Sequence, residues 1–311
     1  MSDNRKKIFV AGGTGFLGKN IVERLGKDSI PYVSASLSQG LDFTDMKQVR
    51  VFFEKENPGI VINAAAAFSG GIQIAREHPG ESFYNNTLIS AYLIEASREF
   101  NVGLFVNIIS NCSYPDVSDK KFKEEEWWDG PLHESVLAYG VVRKASWVNL
   151  WAYNKQYGLN SMSLILPNMY GPGDHMDEVR SHALGALVKK MVFAKRNGDK
   201  EVVIWGTGSP IREWLYIEDA VEAIMRSMSV EPIIDPINIG SGEGISIKDL
   251  AFLIKEIAGY EGELVFDTSR PDGAAYKVMD VERCKKIFNW IPSTQLKDGI
   301  EKTVEYFEKV L

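Results

Sequence analysis

Through its first half the chain alternates short apolar runs with stretches of helical periodicity. The run Ile8-Phe9-Val10-Ala11, entered from Lys7, is apolar at every position, the pattern of a strand covered on both faces. Residues 16–26 space their apolar side chains as a helix does. Tyr32-Val33 opens a second strand and residues 46–57 a second helix. Ile60-Val61-Ile62-Asn63-Ala64 predicts a third strand, 81–100 a long helix, 104–110 a strand, 135–157 another long helix and 161–166 a strand. Strands that are apolar on both faces, joined by helical crossovers, predict a parallel sheet and a doubly wound, Rossmann-type α/β fold.

The second half is less regular. Residues 167–177 are rich in Pro, Gly and Asp and predict a loop. Val202-Val203-Ile204-Trp205 followed by Gly206-Thr207-Gly208-Ser209-Pro210 predicts a strand and a turn, and residues 217–228 and 247–258 predict helices. No Ser/Gly-rich linker and no internal repeat separates the halves. Residues 1–166 are therefore expected to form a dinucleotide-binding domain. Residues 167–311 are expected to form mainly a smaller α/β substrate-binding region, with some segments returning to the first domain.

Composition narrows the partners. Of 311 residues, 45% are hydrophobic and 25% charged, and the formal net charge is −7. That balance disfavours an extended contact with a nucleic-acid backbone but leaves room for one local basic pocket. Met1 to Lys7 is polar and runs into the first strand, which does not read as a signal peptide. No apolar run approaches the roughly 20 residues of a membrane span. The two cysteines, Cys112 and Cys284, are far apart, which argues against a disulfide framework and for a reducing cytoplasm. No Cys/His cluster has zinc-ligand spacing, so no metal is expected.

Gly12-Gly13-Thr14-Gly15-Phe16-Leu17-Gly18 sits between the first strand and the first helix. There Gly12 allows a tight turn, Gly15 lets the backbone approach a pyrophosphate, and Gly18 lets the helix pack on the strand. The helix N-terminus then presents free N–H groups to the phosphates. Further on, Ser110 closes a predicted strand in Asn107-Ile108-Ile109-Ser110-Asn111-Cys112, and in an open parallel sheet that end carries the chemistry. Tyr139 follows about thirty residues later, near the start of a long helix.

These glycines, with Ser110 and Tyr139, resemble the extended short-chain dehydrogenase/reductase family, and within it the GDP-L-fucose synthase group. The resemblance covers most of the chain. It implies that Tyr139 exchanges a proton with the substrate oxygen as hydride moves, while the Ser110 hydroxyl polarises that oxygen. It implies that Cys112 and His182, in Ser181-His182-Ala183-Leu184, remove and return protons beside a 4-keto group, with Cys112 acting as a thiolate of near-neutral pKa. On the cofactor side it assigns Gly12, Thr14, Gly15, Phe16, Leu17 and Gly18, the Ala64-Ala65-Ala66 loop, Asp42 toward the adenine edge, and Asn168. Phe68-Ser69-Gly70-Gly71-Ile72 matches the group's substrate-side glycine loop.

The end of the second strand, Val33-Ser34-Ala35-Ser36-Leu37-Ser38, has neither the acid that selects NAD nor the arginine that relatives use for NADP. Nothing there repels a 2′-phosphate, so NADP is expected, with Ser38 among its contacts and NAD as the alternative.

For a GDP-sugar substrate the resemblance assigns Trp205 to the nucleotide pocket and Arg212 to the diphosphate, where a guanidinium fork bonds two oxygens. Asn168, Lys190, Arg270 and Lys277 complete that set, although Lys190 and Lys277 fit solvated surface charges equally well.

The chain departs from the family at one position. The motif of tyrosine, three residues and lysine reads here Tyr139-Gly140-Val141-Val142-Arg143-Lys144. Arg143 holds the lysine position, and Lys144 lies one residue on, turned roughly 100° around the helix. The family also implies a homodimer through the helices at 81–100 and 135–157, where Trp147 and Trp151 share a face; packing within the subunit is the alternative.

Overall fold

Strand β1 (Ile8–Ala11) is buried along its whole length, and its alternating side chains feed two cores: Ile8 and Val10 point to one face, Phe9 and Ala11 to the other. It lies in a sheet with β2 (Tyr32–Ala35), β3 (Ile60–Asn63), β4 (Leu104–Ser110), β5 (Ser161–Leu166) and β9 (Ile237–Asn238). The order is β2-β1-β3-β4-β5-β9 with every pairing parallel. In this computed structural model the described residues are 7–67, 77–116, 119–174, 183–270 and 272–311.

Four crossover segments supply helices α1 (Phe16–Lys27), α2 (Met46–Glu56), α3 (Pro79–Glu99) and α4 (Leu137–Tyr157). Leu17, Ile21 and Leu25 of α1 pack with Ala220 and Ile224 of α6 (Ile217–Ser227) on one face of the sheet. Phe53 of α2, Leu93 of α3 and Leu150 of α4 cover the other. Helix starts follow side-chain capping where the sequence supplies it. Asp45 accepts from Lys47 N at 2.8 Å to begin α2, and α4 stops at Gly158, at φ +72.

Beyond β5 the chain builds a second layer from β6 (Asn168–Tyr170), β7 (Glu201–Trp205), β8 (Ile211–Tyr216), β10 (Gly244–Ser246), β11 (Glu263–Asp267) and β12 (Tyr276–Lys277). β8 is flanked by β10 and β12 and also pairs with β6, while β7 pairs with β11. Helices α5 (Ala183–Asn197), α7 (Ile247–Ala258) and α9 (Leu296–Val310) close a core of Met191, Ile254 and Phe307 around Trp214 and Tyr216. β9 and the helix α8 (Glu282–Phe288) return to the first core, through Ile237, Cys284 and Phe288.

The predicted loop at 167–177 is corrected at its start. Asn168–Tyr170 is a strand, because Asn168 and Tyr170 pair in register with Trp214 and Tyr216 of β8. Three residues are too few to show a period, and the partner lies more than forty residues away. None of the described helices is long and apolar enough to cross a membrane.

Candidate active site

The glycine turn is a packed object. Gly12 has φ +83, and a Cβ there would lie 2.7 Å from Ala65 Cα and 2.8 Å from Ala64 O, so the Ala64–Ala65 backbone lies directly against it. A Cβ on Gly18 would fall 2.0 Å from Gly12 O. On Gly15 it would meet Gly12 O at 3.3 Å and nothing else within 4 Å among the described residues, so the backbone there is open to a ligand. Gly15 caps α1 without a side-chain bond. The N–H end of that helix is thereby kept for an anion. Phe16 and Leu17 turn their side chains into the core, at 5% and 7% exposure, so any cofactor contact from them is made by backbone. These features fit the pyrophosphate of a dinucleotide.

Around the turn stand three hydroxyls: Thr14 Oγ1 lies 2.9 Å from Ser36 Oγ and 3.0 Å from Ser38 Oγ. Asp42 spends one carboxylate oxygen on Thr44, accepting from its N–H at 2.8 Å and its hydroxyl at 2.7 Å, and so shapes the turn into α2. Ala66 is half-buried beside Ala65 in the loop that follows β3.

At the carboxyl end of β4 the chain enters a short 3-10 turn, Asn111–Ser113, which Ser110 opens by accepting from Cys112 N at 3.3 Å. The first turn of α4 packs on it, since a Cβ on Gly140 would lie 3.2 Å from Cys112 O and 3.4 Å from Ser113 Cα. That contact brings Tyr139 to the Ser110–Cys112 edge. One helical turn on, the Arg143 guanidinium donates to Tyr139 Oη at 2.8 Å and lies 4.6 Å from the ring centroid. Arg143 is 4% exposed, and its Nε has no hydrogen-bond partner among the described residues. An orphaned buried N–H beside the Tyr139 phenol fits a ribose oxygen.

Lys144 takes no part in this edge. Its ammonium donates to Trp127 O and sits 4.6 Å from the Trp128 ring centroid. Burial lowers its pKa.

Cys112 departs from the expected near-neutral thiolate. Burial pushes its thiol up, against the opposing pull of the Ser110 hydrogen bond and the Arg143 and Lys277 charges. His182, its expected partner, lies outside the described residues, as does the 68–72 loop.

Lys277 is not a solvated surface charge. It is 5% exposed, donates to Tyr114 O at 2.9 Å and Pro115 O at 2.6 Å, and burial lowers its pKa to about 8. It lies opposite Arg212 in the β12–β8 register. Arg212 donates to Ile211 O at 2.8 Å and to Ala274 O, and burial lowers its pKa too. Neither cation makes an ion pair among the described residues. Half-buried Arg212 and buried Lys277, on adjacent strands and hydrogen-bonded only to carbonyls, repel each other; the Asp116 and Asp272 charges offset part of that repulsion, and an anion would relieve the rest. The alternation of the strands hid this, because a two-residue strand carries no readable pattern.

Trp205, 52% exposed, gathers Arg270 at 4.9 Å and Lys190 at 5.9 Å from its ring centroid. Asn168 is half-buried on β6, its amide 3.5 Å from Glu213 O. Glu213 itself escaped notice in the sequence. Fully buried, with its carboxyl pushed up to about 7 by that burial, it accepts from Gly242 N and Met279 N at 2.8 and 2.9 Å. It thereby ties the segment after β9 to the segment after β12.

Residues 8–240 match the model of the NAD dependent epimerase/dehydratase family. The chain belongs to that family. Its relatives include GDP-L-fucose synthase 1 of Arabidopsis thaliana, 34% identical over 99% of this chain and 95% of that protein. The GDP-L-fucose synthase of Sinorhizobium fredii is 36% identical over 97% and 95%. A solved GDP-6-OMe-4-keto-L-xylo-heptose reductase from C. jejuni superposes with a TM-score of 0.93 at 30% identity, covering 99% of both chains. A GDP-L-fucose synthetase from Naegleria fowleri bound to NADP gives 0.89 at 27%, covering 99% and 94%. As a member of the NAD dependent epimerase/dehydratase family the chain is an NAD(P)-dependent enzyme. Among the described residues no cluster of side chains could hold a metal ion.

Proposed function

We propose that this enzyme converts GDP-4-keto-6-deoxy-D-mannose to GDP-L-fucose, epimerising C3 and C5 and then reducing C4, with NADP as cofactor and NAD as the alternative. The observation that carries the reading is the Arg143–Tyr139 bond at 2.8 Å, set on the Ser110–Cys112 edge. When bound, the reduced cofactor supplies the hydride. Tyr139 gives its phenolic proton to the C4 oxygen, and Arg143 stabilises the negative charge left on the phenol. Ser110 accepts from Cys112 N, so its own hydroxyl hydrogen is available to the sugar oxygen. A guanidinium supplies the charge of the family's lysine but stays protonated, so it cannot pass a proton between ribose and solvent. Cys112 and His182 serve the epimerisation, in which the keto group acidifies the neighbouring C–H bonds. The Arg212 and Lys277 pair faces the diphosphate, and Trp205 with Lys190 and Arg270 faces the nucleotide, with Asn168 on the sugar side. Residues 1–166 act as the dinucleotide domain and 167–311 mainly as the substrate region.

The test is incubation with GDP-4-keto-6-deoxymannose and NADPH in D₂O. Nicotinamide absorbance reports reduction, and mass spectrometry reports deuterium gained at the sugar carbons. Both signals are expected. Faster turnover of a GDP-4-keto-heptose would move the substrate to that sugar, and binding without turnover of either would make the protein a non-catalytic binder.

The same reading includes a homodimer in the cytoplasm. α3 and α4 expose Tyr84 at 64%, Leu137 at 48% and Trp151 at 44%. An apolar groove of about 620 Å³, lined by Trp128, Leu132, Val141 and Val148, runs along α4. Trp147 belongs to the subunit core instead, donating to Ile234 O at 2.8 Å with its ring on Trp127. Both cysteines are free thiols, in keeping with a reducing compartment. Sedimentation equilibrium tests the dimer, and Trp151→Glu is expected to yield monomers.

A further inference from the structure

In a fold of this kind the side chains at the end of the second strand meet the adenosine ribose and decide between NAD and NADP. An aspartate there accepts from the 2′-hydroxyl and repels a phosphate, whereas an arginine does the reverse. This chain places neither. Residues 29–41 contain no Asp, Glu, Lys or Arg, and neither does the glycine turn itself. The position is filled by a closed set of hydroxyls. Thr14 Oγ1, Ser36 Oγ and Ser38 Oγ lie 2.9 to 3.0 Å apart, and Ser36 donates on to Gln39 Oε1 at 3.1 Å. The set is held in place by backbone, because Gly12 N and Gly13 N donate to Ala35 O at 2.8 and 3.3 Å and so bind the turn to the end of β2. Lys19, the first charged side chain after the turn, is drawn to Gly173 O instead.

A hydroxyl is both donor and acceptor, and its hydrogen rotates without moving a heavy atom. Three of them in mutual contact can turn their acceptors to a ribose hydroxyl or their hydrogens to a phosphate oxygen. None of the three carries a full charge that would reject either. We propose that Thr14, Ser36 and Ser38 are the cofactor-selecting group of this enzyme, and that they admit NAD and NADP with little discrimination. The inference rests on the reading that the Gly12–Gly18 turn holds the dinucleotide.

The experiment is direct titration of the full chain, without sugar substrate, with NADPH and with NADH, followed by nicotinamide fluorescence. The two dissociation constants are expected to agree within about thirtyfold, the hydroxyls supplying only neutral hydrogen bonds. A wider gap in either direction overturns the proposal. Ser38→Asp, at an exposed position, is expected to weaken NADPH by about a hundredfold or more and leave NADH within a few-fold of the parent. Ser38→Arg is expected to tighten NADPH by about tenfold with NADH unchanged. If both variants keep the parent ratio, the group does not select the cofactor. Failure of the parent chain to bind either dinucleotide would overturn the underlying reading of the turn as well, a result separable from a one-sided preference.

Discussion

The glycine turn and the second layer, the two regions proposed to face ligands, reach opposite electrostatic solutions. Around the glycine turn recognition is neutral: backbone N–H groups at the start of α1, three hydroxyls, and close backbone packing of Gly12 on Ala64 and Ala65. In the second layer it is charged, with half-buried Arg212 and buried Lys277 side by side on β8 and β12 and bonded to carbonyls. In the first region the three hydroxyls satisfy one another and only backbone N–H groups are left for a ligand. The second carries positive charge that Asp116 and Asp272 offset only in part, which an anion would complete. On the function proposed above, the difference teaches that the cofactor end is specified by shape and the substrate end by charge. Substitutions should therefore act through sterics in one and through ionisation in the other.

The largest effect is expected at Gly18. Gly18→Val places a side chain where even a Cβ would fall 2.0 Å from Gly12 O. It should destabilise the protein by about 3 kcal/mol or more and abolish NADPH binding. Gly130→Ala, whose Cβ would meet Pro115 Cβ at 3.4 Å, should stay within about 1 kcal/mol. Thermal melts of the two variants make the check, and equal melting temperatures would remove shape as the principle of this end.

Next comes the charge at the proposed catalytic edge. Arg143→Met should slow reduction by about a hundredfold or more, the scale of losing one donor to a developing oxyanion, with deuterium exchange intact. Arg143→Lys should retain or raise the rate, since a lysine can also relay the proton. Lys144→Met should change reduction little, because its ammonium is engaged by Trp127 O. Single-turnover rates decide this; an Arg143→Met enzyme as fast as the parent would take Arg143 out of the chemistry.

A charge-assisted contact of about 1.5–3 kcal/mol is expected from Arg212. Arg212→Ala should weaken GDP-sugar binding by roughly ten- to a hundredfold and leave NADPH unmoved. Equal losses in calorimetric titrations with both ligands would show instead that Arg212 holds the fold together.

The last effect is a slope with pH. The Lys277 pKa is lowered from 10.5 to about 8 by burial. Between those values the unfolded chain holds a proton that the folded chain does not, so stability from this group rises with pH. It is full above about 10.5 and is lost as pH falls through about 8. The contribution is at most about 1.4 kcal/mol per pH unit in that window. Lys277→Met should flatten it in urea titrations taken from pH 8 to 10, and an unchanged slope would show that Lys277 is solvated after all.

Local chemistry in the chain was enough for the first half of the fold. β1 to β5 and their crossovers show as two-faced apolar runs and helical periods. The glycine spacing is a feature of consecutive residues, and so is the four-residue step from Tyr139 to Arg143, which one helical turn converts into a bond. What sequence order could not reveal are contacts whose partners lie far along the chain. β6 exists because β8 runs beside it, some forty residues on. Lys277 is buried by the loop at Tyr114 and Pro115, more than 160 residues away, and that contact turns an ordinary surface lysine into a buried cation. Trp147 and Trp151 share one helix face in the sequence. Only Trp127 and the carbonyl of Ile234 draw the first into the core and leave the second exposed. Propensity and period act over a few residues, whereas desolvation depends on everything packed around a group, and it is desolvation that sets the charge chemistry of this site.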